Sequence, residues 1–234
     1  MLPPIPPEWL HPPSIEAATT IQRTLAASVL TEDDLGTVET VAGADTSSDR
    51  FDPTRTVHAS MVALSFPGLE VLGTAAQSGS DAFPYVPGYL SFRESPFLVE
   101  AFKQLRPVPD LIFVDGQGIS HPRRLGIACH LGLLLDRPTI GVAKSILVGK
   151  PAGPLGPEPG DRVPLVWKGL TIGTVLRTRR NANPLYVSPG HRISLETAVE
   201  WVLRTGRGYR LPEPTRQAHL ASNVVRRAAN AQRS

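Results

Sequence analysis

The chain has 234 residues, of which 41% are hydrophobic and 19% are charged, and its formal net charge is +3. This apolar content excludes a disordered chain, although the 24 prolines are near twice the ~5% of average usage. The single cysteine, Cys129, excludes an internal disulfide and a metal site made of several thiolates. The sequence has neither a secretory signal nor a run of ~18 apolar residues that could cross a membrane, so we expect a cytoplasmic protein.

Charge is divided unevenly along the chain. Residues 1–150 hold 11 basic and 16 acidic side chains, a net charge of −5, and residues 151–234 hold 13 basic and 5 acidic side chains, a net charge of +8. An acidic half that gathers a cation and an Arg-rich half that contacts phosphate would explain this division. The alternative is a solvated basic surface without a ligand.

Hydrophobic spacing and turn residues predict the elements of the first third of the chain. These are a Pro-rich arm over 1–13, a helix over 15–30, a strand over 39–45, and strands over 57–66 and 69–77. Ser14 is a suitable N-cap for the helix, and Asp45 closes the first strand. The Pro-Gly pair at 67–68 predicts that the last two strands form a hairpin.

The middle of the chain alternates between helices and buried strands. The predicted elements are a helix that begins at Ser95–Pro96, a strand over 111–114, a helix through Leu125 and Leu135, and a strand over 139–143. Asp115 follows the first of these strands, and Lys144 follows the second. Strand-helix-strand order predicts parallel pairing here, whereas the earlier hairpin is antiparallel. The fold class is therefore α/β, with a mixed sheet flanked by helices.

The last third of the chain predicts a loop, further strands and a helix. The elements are an exposed loop over 150–160, strands within 163–188 that cross a turn at 181–184, and a helix from Ser194 to about Arg204. The basic segment after Ser222 is expected to fray. We expect one domain over residues 14–221, preceded by the arm and followed by a tail over 222–234.

The common sequence motifs of catalysis are absent. The segment 115–121 (DGQGISH) follows a strand as a dinucleotide fingerprint would, but it begins with an acid and has His121 at the third glycine position. No phosphate loop, H-E-x-x-H or G-x-S-x-G motif occurs. What remains is a set of carboxylates at strand ends or beside helix starts.

These carboxylates are Asp45, Glu94 and Asp115, with Lys144 at the end of a neighbouring strand. Hard divalent cations such as Mg²⁺ prefer oxygen ligands, and bound metals orient water and neutralise a leaving oxygen in phosphodiester hydrolysis. The pattern therefore favours a metal-dependent nuclease. Helix caps and turn residues remain the alternative interpretation of strand-end aspartates.

Five blocks of sequence together resemble the endonuclease V family, the inosine-directed nucleases with a ribonuclease H-like fold. The blocks occur in family order over roughly residues 14–220. They are 41–45 (VAGAD), 84–94 (PYVPGYLSFRE), 114–124 (VDGQGISHPRR), 138–144 (PTIGVAK) and 208–216 (GYRLPEPTR).

The resemblance implies a Mg²⁺-dependent DNA repair endonuclease, with Mn²⁺ able to substitute. Such an enzyme cuts the second phosphodiester bond 3′ of deoxyinosine and leaves the lesion in place. An endonuclease for inosine in single-stranded RNA, a flap or junction nuclease of the same fold, and a non-catalytic nucleic-acid binder are the alternatives. We expect a monomer whose partner is DNA that contains deoxyinosine, or RNA that contains inosine.

The resemblance also implies roles for single residues. Asp45, Glu94 and Asp115 match the metal carboxylates, and Lys144 matches a lysine near the scissile phosphate or the attacking water. His219 falls where some members carry His and others Asp, so it is either a ligand, a residue that orients water, or an ordinary helix-surface residue. Tyr85, between Pro84 and Pro87, corresponds to a wedge that enters DNA at the lesion.

The family's lesion pocket receives a base that has been flipped out of the duplex. Similarity places the following residues around that base: Gly88, Leu90, Gly116, His121, Gly126 and Leu147. One position departs from the family pattern, because Gln117 occurs where many members carry His. Gln117 either alters catalysis here or only supports the loop, and the sequence leaves both alternatives open.

Overall fold

The computed structural model describes residues 4–48, 56–80 and 83–231, so the ends of the predicted arm and tail, 1–3 and 232–234, lie outside the described residues. The described residues form six helices and nine strands. In chain order these are α1 (Pro7–Leu10), α2 (Ile15–Ala26), β1 (Thr40–Ser48), β2 (Thr56–Ser65), β3 (Val71–Ser80), α3 (Leu90–Gln104), β4 (Leu111–Val114), α4 (Ile127–Leu135), β5 (Thr139–Ala143), β6 (Lys150–Pro151), β7 (Arg162–Trp167), β8 (Leu170–Leu176), β9 (Leu185–His191), α5 (Leu195–Arg204) and α6 (Glu213–Ala231).

The strands form one mixed sheet in the order β3-β2-β1-β4-β5-β9-β8-β7-β6. Strands β1, β4 and β5 run parallel at its centre, and the other pairings are antiparallel, including the predicted hairpin of β2 and β3. Parallel strands end at the same edge of a sheet. The residues that close β1, β4 and β5 therefore meet at one edge.

Alternating side chains of the central strands fill two hydrophobic cores, one on each face of the sheet. On β4, Ile112 and Val114 pack in the core covered by α3 and α4. Leu111 and Phe113 pack in the other core, which includes residues of α5 and α6. The predicted mixed sheet with flanking helices is thus confirmed.

Helix α3 begins six residues earlier than the sequence predicted. Its first residue is Leu90, so Ser95 and Pro96 lie inside the helix and Ser95 is buried; the predicted Ser95 N-cap is wrong. The chain enters α3 through a turn in which the Tyr89 N–H donates to the Val86 carbonyl at 3.0 Å. Because the helix already exists before Ser95, Glu94 lies on α3 and not in the loop before it.

Helix α6 continues to Ala231, through the segment predicted to fray after Ser222. Ser222 is buried and packs towards the sheet, which ties the helix down beyond the predicted boundary. Among the residues that the structure describes, no helix has both the length and the apolar character needed to cross a membrane.

Three other predictions need adjustment. The first long helix ends at Ala26 and not near residue 30. Lys150 and Pro151, in the predicted loop, pair as the short strand β6 with β7. The turn at 181–184 lies between β8 and β9 as predicted, but β7 and β8 are joined by a second turn, Lys168–Gly169, where both φ angles are positive.

Gly43 lets α6 approach the centre of the sheet. A β-carbon at this position of β1 would lie 1.8 Å from the carbonyl oxygen of Pro214, at the start of α6. Backbone atoms cannot move aside as a flexible side chain would. The glycine therefore sets the distance between β1 and the helix that carries His219.

We predict that Gly43→Ala lowers the melting temperature measurably, because overpacking in a well-packed core costs about 1–3 kcal/mol. Each kcal/mol corresponds to ~2–4 °C for a chain of this size. Gly36→Ala is the matched control, since nothing lies within 4 Å of a β-carbon there. Equal melting temperatures for the two variants would contradict the proposed role of Gly43.

Candidate active site

Three of the side chains predicted to be functional lie at the carboxyl ends of the parallel strands. Asp45 is near the end of β1, Asp115 directly follows β4, and Lys144 directly follows β5. The Asp115 backbone N–H donates to the Ala44 carbonyl at 2.9 Å, which extends the parallel pairing past the end of β4. The two aspartates are therefore neighbours on adjacent strands.

Helices on opposite faces of the sheet add two more side chains to this edge. Glu94 comes from the second turn of α3, where it is hydrogen bonded to the Thr46 side chain. His219 comes from α6 and is 43% exposed. The predicted residues are thus brought together from five separate elements.

The contacts of His219 fix its tautomer. The Asn223 amide donates to the His219 carbonyl at 2.8 Å, so the same amide nitrogen faces Nε2 of the ring, 3.2 Å away, as a donor. Nε2 is then the acceptor, and Nδ1 donates its proton to the Asp45 carboxylate at 3.1 Å. Asp45 Oδ2 also accepts a 2.7 Å bond from the Ser222 hydroxyl.

One group of side chains has the spacing of a metal site. A ligand atom from each of Asp45, Asp115 and His219 lies within 4.8 Å of the others. Glu94 is outside this group but lines the same cavity. Oxygen ligands with one imidazole suit a divalent cation.

Burial and mutual repulsion perturb the carboxylates. Burial raises the pKa of Glu94 from 4.5 to about 7, and the negative charges of Asp45 and Asp115 add to the effect. The pKa of Asp115 is likewise raised, from 3.8 to about 6, by burial and by Asp45. The site therefore concentrates negative charge that the surrounding protein neutralises only in part.

Lys144 is a cation that faces this charge. Its ammonium group forms an ion pair with Asp115 Oδ2, which opposes the rise in the pKa of that carboxyl. The backbone of Lys144 is held from outside the sheet, because Arg210 donates to its carbonyl at 3.1 Å. The lysine is partly exposed and can reach a phosphate at the mouth of the site.

A cavity of about 500 Å³ adjoins the carboxylates. It contains every site residue predicted from the sequence except Pro84. Its lining residues are Asp45, Thr46, Tyr85, Pro87, Gly88, Leu90, Ser91, Glu94, Asp115, Gly116, Gln117, His121, Leu125, Gly126, Ile127, Lys144, Ser145, Ile146, Leu147 and His219.

The turn before α3 presents Tyr85 at the rim of this cavity. The Tyr85 side chain is 68% exposed, so it does not belong to the core. Gly88 has a φ of +82°, in the left-handed region that favours glycine, and this turns the chain into α3. An exposed ring on a constrained turn has the form expected of a wedge.

A clamp on the Gly88 carbonyl holds this turn. The carbonyl accepts hydrogen bonds from Gln22 Nε2 at 2.9 Å, His121 Nε2 at 2.9 Å and Arg123 Nη2 at 2.7 Å. Burial lowers the pKa of His121 to about 4, so its ring is neutral. The Arg123 guanidinium also lies over the Tyr89 ring, 4.1 Å from its centre. The buried His121 thus supports the cavity wall.

Sequence reasoning missed several residues that hold the site. Ser222 was assigned to the tail, although it is three residues from His219 and therefore on the same side of a continued helix. Gln22 is a fully buried polar residue of α2. Its signal was a polar side chain between the apolar positions Ala18 and Leu25, and such a residue needs a buried partner.

Comparisons with known proteins agree on one family. The sequence model of the family described as Endonuclease V matches residues 23–220. Endonuclease V from Rhodospirillum centenum is 56% identical over 227 residues, which cover 97% of this chain and 95% of that protein.

Solved structures show the same fold. Endonuclease V from Streptomyces avermitilis is 36% identical with a TM-score of 0.88, and the match covers 97% of this chain and 98% of that one. Endonuclease V from Ciona intestinalis, in complex with a 24mer DNA containing an inosine followed by a ribo-adenosine, is 28% identical with a TM-score of 0.78. That match covers 92% of this chain and 98% of the Ciona chain. The fold is therefore ribonuclease H-like, as predicted.

We predict that Glu94→Gln stabilises the metal-free protein at neutral and higher pH. The folded-state pKa of Glu94, about 7, lies above its ordinary value of 4.5, so the ionised form destabilises the folded state above pH 7. The destabilisation shrinks as the pH falls and is absent below pH 4.5. Its size is on the order of 3 kcal/mol, since the pKa rises from 4.5 to about 7 and one pKa unit is ~1.4 kcal/mol.

Thermal unfolding in the presence of a chelator, at pH 8 and at pH 5, measures this effect. Glu100→Gln is the matched control, because Glu100 lies on the same helix and is exposed. If Glu94→Gln is no more stable than Glu100→Gln at pH 8, the ionised Glu94 carboxylate does not destabilise the folded state.

Proposed function

The chain belongs to the Endonuclease V family, and we propose that it cuts DNA at the second phosphodiester bond on the 3′ side of deoxyinosine. Hydrolysis adds the OH of water to phosphorus and its hydrogen to the 3′ oxygen, which leaves a 5′-phosphate and a 3′-hydroxyl. The observation that carries this proposal is that the acidic cluster and a cavity large enough for a base are parts of one site. The Ciona relative in complex with DNA that contains an inosine supports the substrate.

A divalent cation, Mg²⁺ with Mn²⁺ as a substitute, fits the acidic cluster. Asp45 and Asp115 would hold it, with Glu94 close by, because the ligand atoms of the two aspartates lie within 4.8 Å of each other and Glu94 lines the same cavity. His219 would reach it only in the other tautomer, since Nδ1 now donates to Asp45. When bound, the metal would supply an activated water and neutralise charge on the phosphate.

Lys144 would contact the phosphate next to the bond that breaks. Its ion pair with Asp115 keeps the ammonium at the mouth of the cavity when substrate is absent. A phosphate oxygen would compete with Asp115 for this ammonium, and Asp115 would then be free for the metal. Ser222 would keep the Asp45 carboxylate in one orientation throughout, and His219 would help while its Nδ1 carries the proton.

The rest of the cavity would receive the flipped base. Gly88, Leu90, Gly116, Gly126 and Leu147 line it, and His121 fixes the wall at Gly88. Small residues allow backbone amides to approach the base, and an amide that donates to the keto oxygen of hypoxanthine would reject adenine. Tyr85 would fill the space that the base leaves in the duplex.

The central test is cleavage of a labelled duplex with one deoxyinosine in Mg²⁺. We expect a single nick at the second bond on the 3′ side. In Asp115→Asn the cleavage rate should fall at least ~100-fold, because mutation of residues that only support a metal ligand already costs ~10–100-fold. Asp136→Asn is the control, because Asp136 is exposed and pairs with Arg192 outside the site.

Three results would overturn the proposal: no nick, equal nicking of a duplex with guanine in place of inosine, or full activity in Asp115→Asn. A matched single-stranded RNA with one inosine is included as a competitor. Faster cleavage of the RNA would make RNA the preferred substrate, because the 2′-hydroxyl distinguishes the two.

We also predict that Tyr85→Ala reduces cleavage of duplex substrate by roughly 10-fold or more, since base–aromatic stacking is worth ~1–3 kcal/mol. Tyr85→Phe keeps the ring and should remain near wild type. Single-stranded substrate needs no strand separation, so it should lose less activity in Tyr85→Ala. Equal losses on single- and double-stranded substrates would argue against a wedge.

A further inference from the structure

Gln117 connects two segments of the cavity wall. Its side-chain amide donates to the Ser145 carbonyl at 2.8 Å, and its side-chain oxygen accepts from the Ser120 hydroxyl at 2.7 Å. Gln117 belongs to the loop after β4, and Ser145 to the segment after β5. Both segments contribute residues to the cavity.

The Ser145 carbonyl dictates which way the Gln117 amide faces. A carbonyl can only accept, so the NH₂ group must point to it and the amide oxygen must point to Ser120. Ser120 has one hydroxyl hydrogen, which this oxygen receives. The Ser188 hydroxyl, 2.9 Å from Ser120, then donates to Ser120 and accepts from the Gly118 N–H at 2.9 Å.

The series of hydrogen bonds from Gln117 through Ser120 and Ser188 ends at Gly118, in a rigid part of the structure. The Gly118 backbone packs directly on β9, where an added β-carbon would lie 1.9 Å from the Pro189 carbonyl oxygen. The Ile119 N–H also donates to the Pro189 carbonyl at 2.9 Å. The loop that carries Gln117 is therefore fixed to the sheet.

At its other end the series reaches Ser145, in the more exposed cavity wall formed by residues 145–147. Ile146 and Leu147 are 36% and 39% exposed, although both line the cavity. Apolar side chains with so much exposed surface contribute little burial energy to hold their own backbone in place. Hydrogen bonds to that backbone, such as the one from Gln117 to Ser145, then determine its position.

We propose that Gln117 is a positioning residue for substrate recognition, which holds the 145–147 wall at the distance that the flipped base requires. This inference rests on the proposed function. The position requires one donor and one acceptor on the same side chain. A neutral histidine offers one donor and one acceptor as well.

The test compares Gln117→Glu with Gln117→His. Glutamate offers only acceptors towards the Ser145 carbonyl, so we expect the preference for deoxyinosine over guanine duplexes to fall ~10-fold, through KM more than kcat. Gln117→His should recover most of the preference. Gln104→Glu is the control, because Gln104 is an exposed residue of α3 outside the cavity.

Hydrogen exchange of the backbone amides in residues 145–149 gives a second measurement that needs no substrate. We expect faster exchange in Gln117→Glu, and also in the milder Ser120→Ala, while β4 stays protected. An unchanged preference together with unchanged exchange would overturn the role of Gln117. If wild-type protein cleaves no deoxyinosine substrate but exchange still accelerates, the proposed function fails and the positioning of the wall stands.

Discussion

The constraint on which the site depends is the burial of three acidic side chains, from β1, α3 and the end of β4, close to one another. Folding places Asp115 and Glu94 in a partly buried position near Asp45, and burial followed by repulsion raises the pKa values of the first two, which reflects a free-energy cost. The protein offsets part of it with donors from other elements. Lys144 pairs with Asp115, and both Ser222 and His219 donate to Asp45. Helix α6 therefore supplies the donors that satisfy the acid near the end of β1.

Close backbone packing is what brings those donors within reach. At Gly43 the start of α6 lies directly against β1, and at Gly118 the loop after β4 lies directly against β9. A side chain at either place would move a helix or a loop by more than the tolerance of a hydrogen bond, which is only a few tenths of an ångström. The distances within the site thus depend on these two glycines as much as on the residues that face the cavity.

Sequence patterns predicted the central strands, and therefore the places of the residues at their ends, because both follow from local rules. Buried strands are continuous apolar runs, and Asp115 and Lys144 directly follow two of them. The start of α3 and the length of α6 were mispredicted, because tertiary contacts outweighed the Ser95 cap signal and the polar composition after Ser222. Contacts such as that of Gln22 with Gly88 join residues 66 positions apart, and no local pattern encodes them.

Much of the positive charge in residues 151–234 serves to hold the protein's own structure together. Several arginines of the basic half are bound within the protein, to carbonyl groups, acids or aromatic rings. These are Arg177, Arg192, Arg204, Arg210 and Arg216. Arg210 bonds to the Lys144 carbonyl and so supports the acidic site from the basic half. A guanidinium whose donors are already used has fewer to offer a phosphate. The net charge of the second half therefore overstates the number of cations available to a DNA backbone, and one of these arginines, Arg210, instead holds a segment of the cavity wall at Lys144.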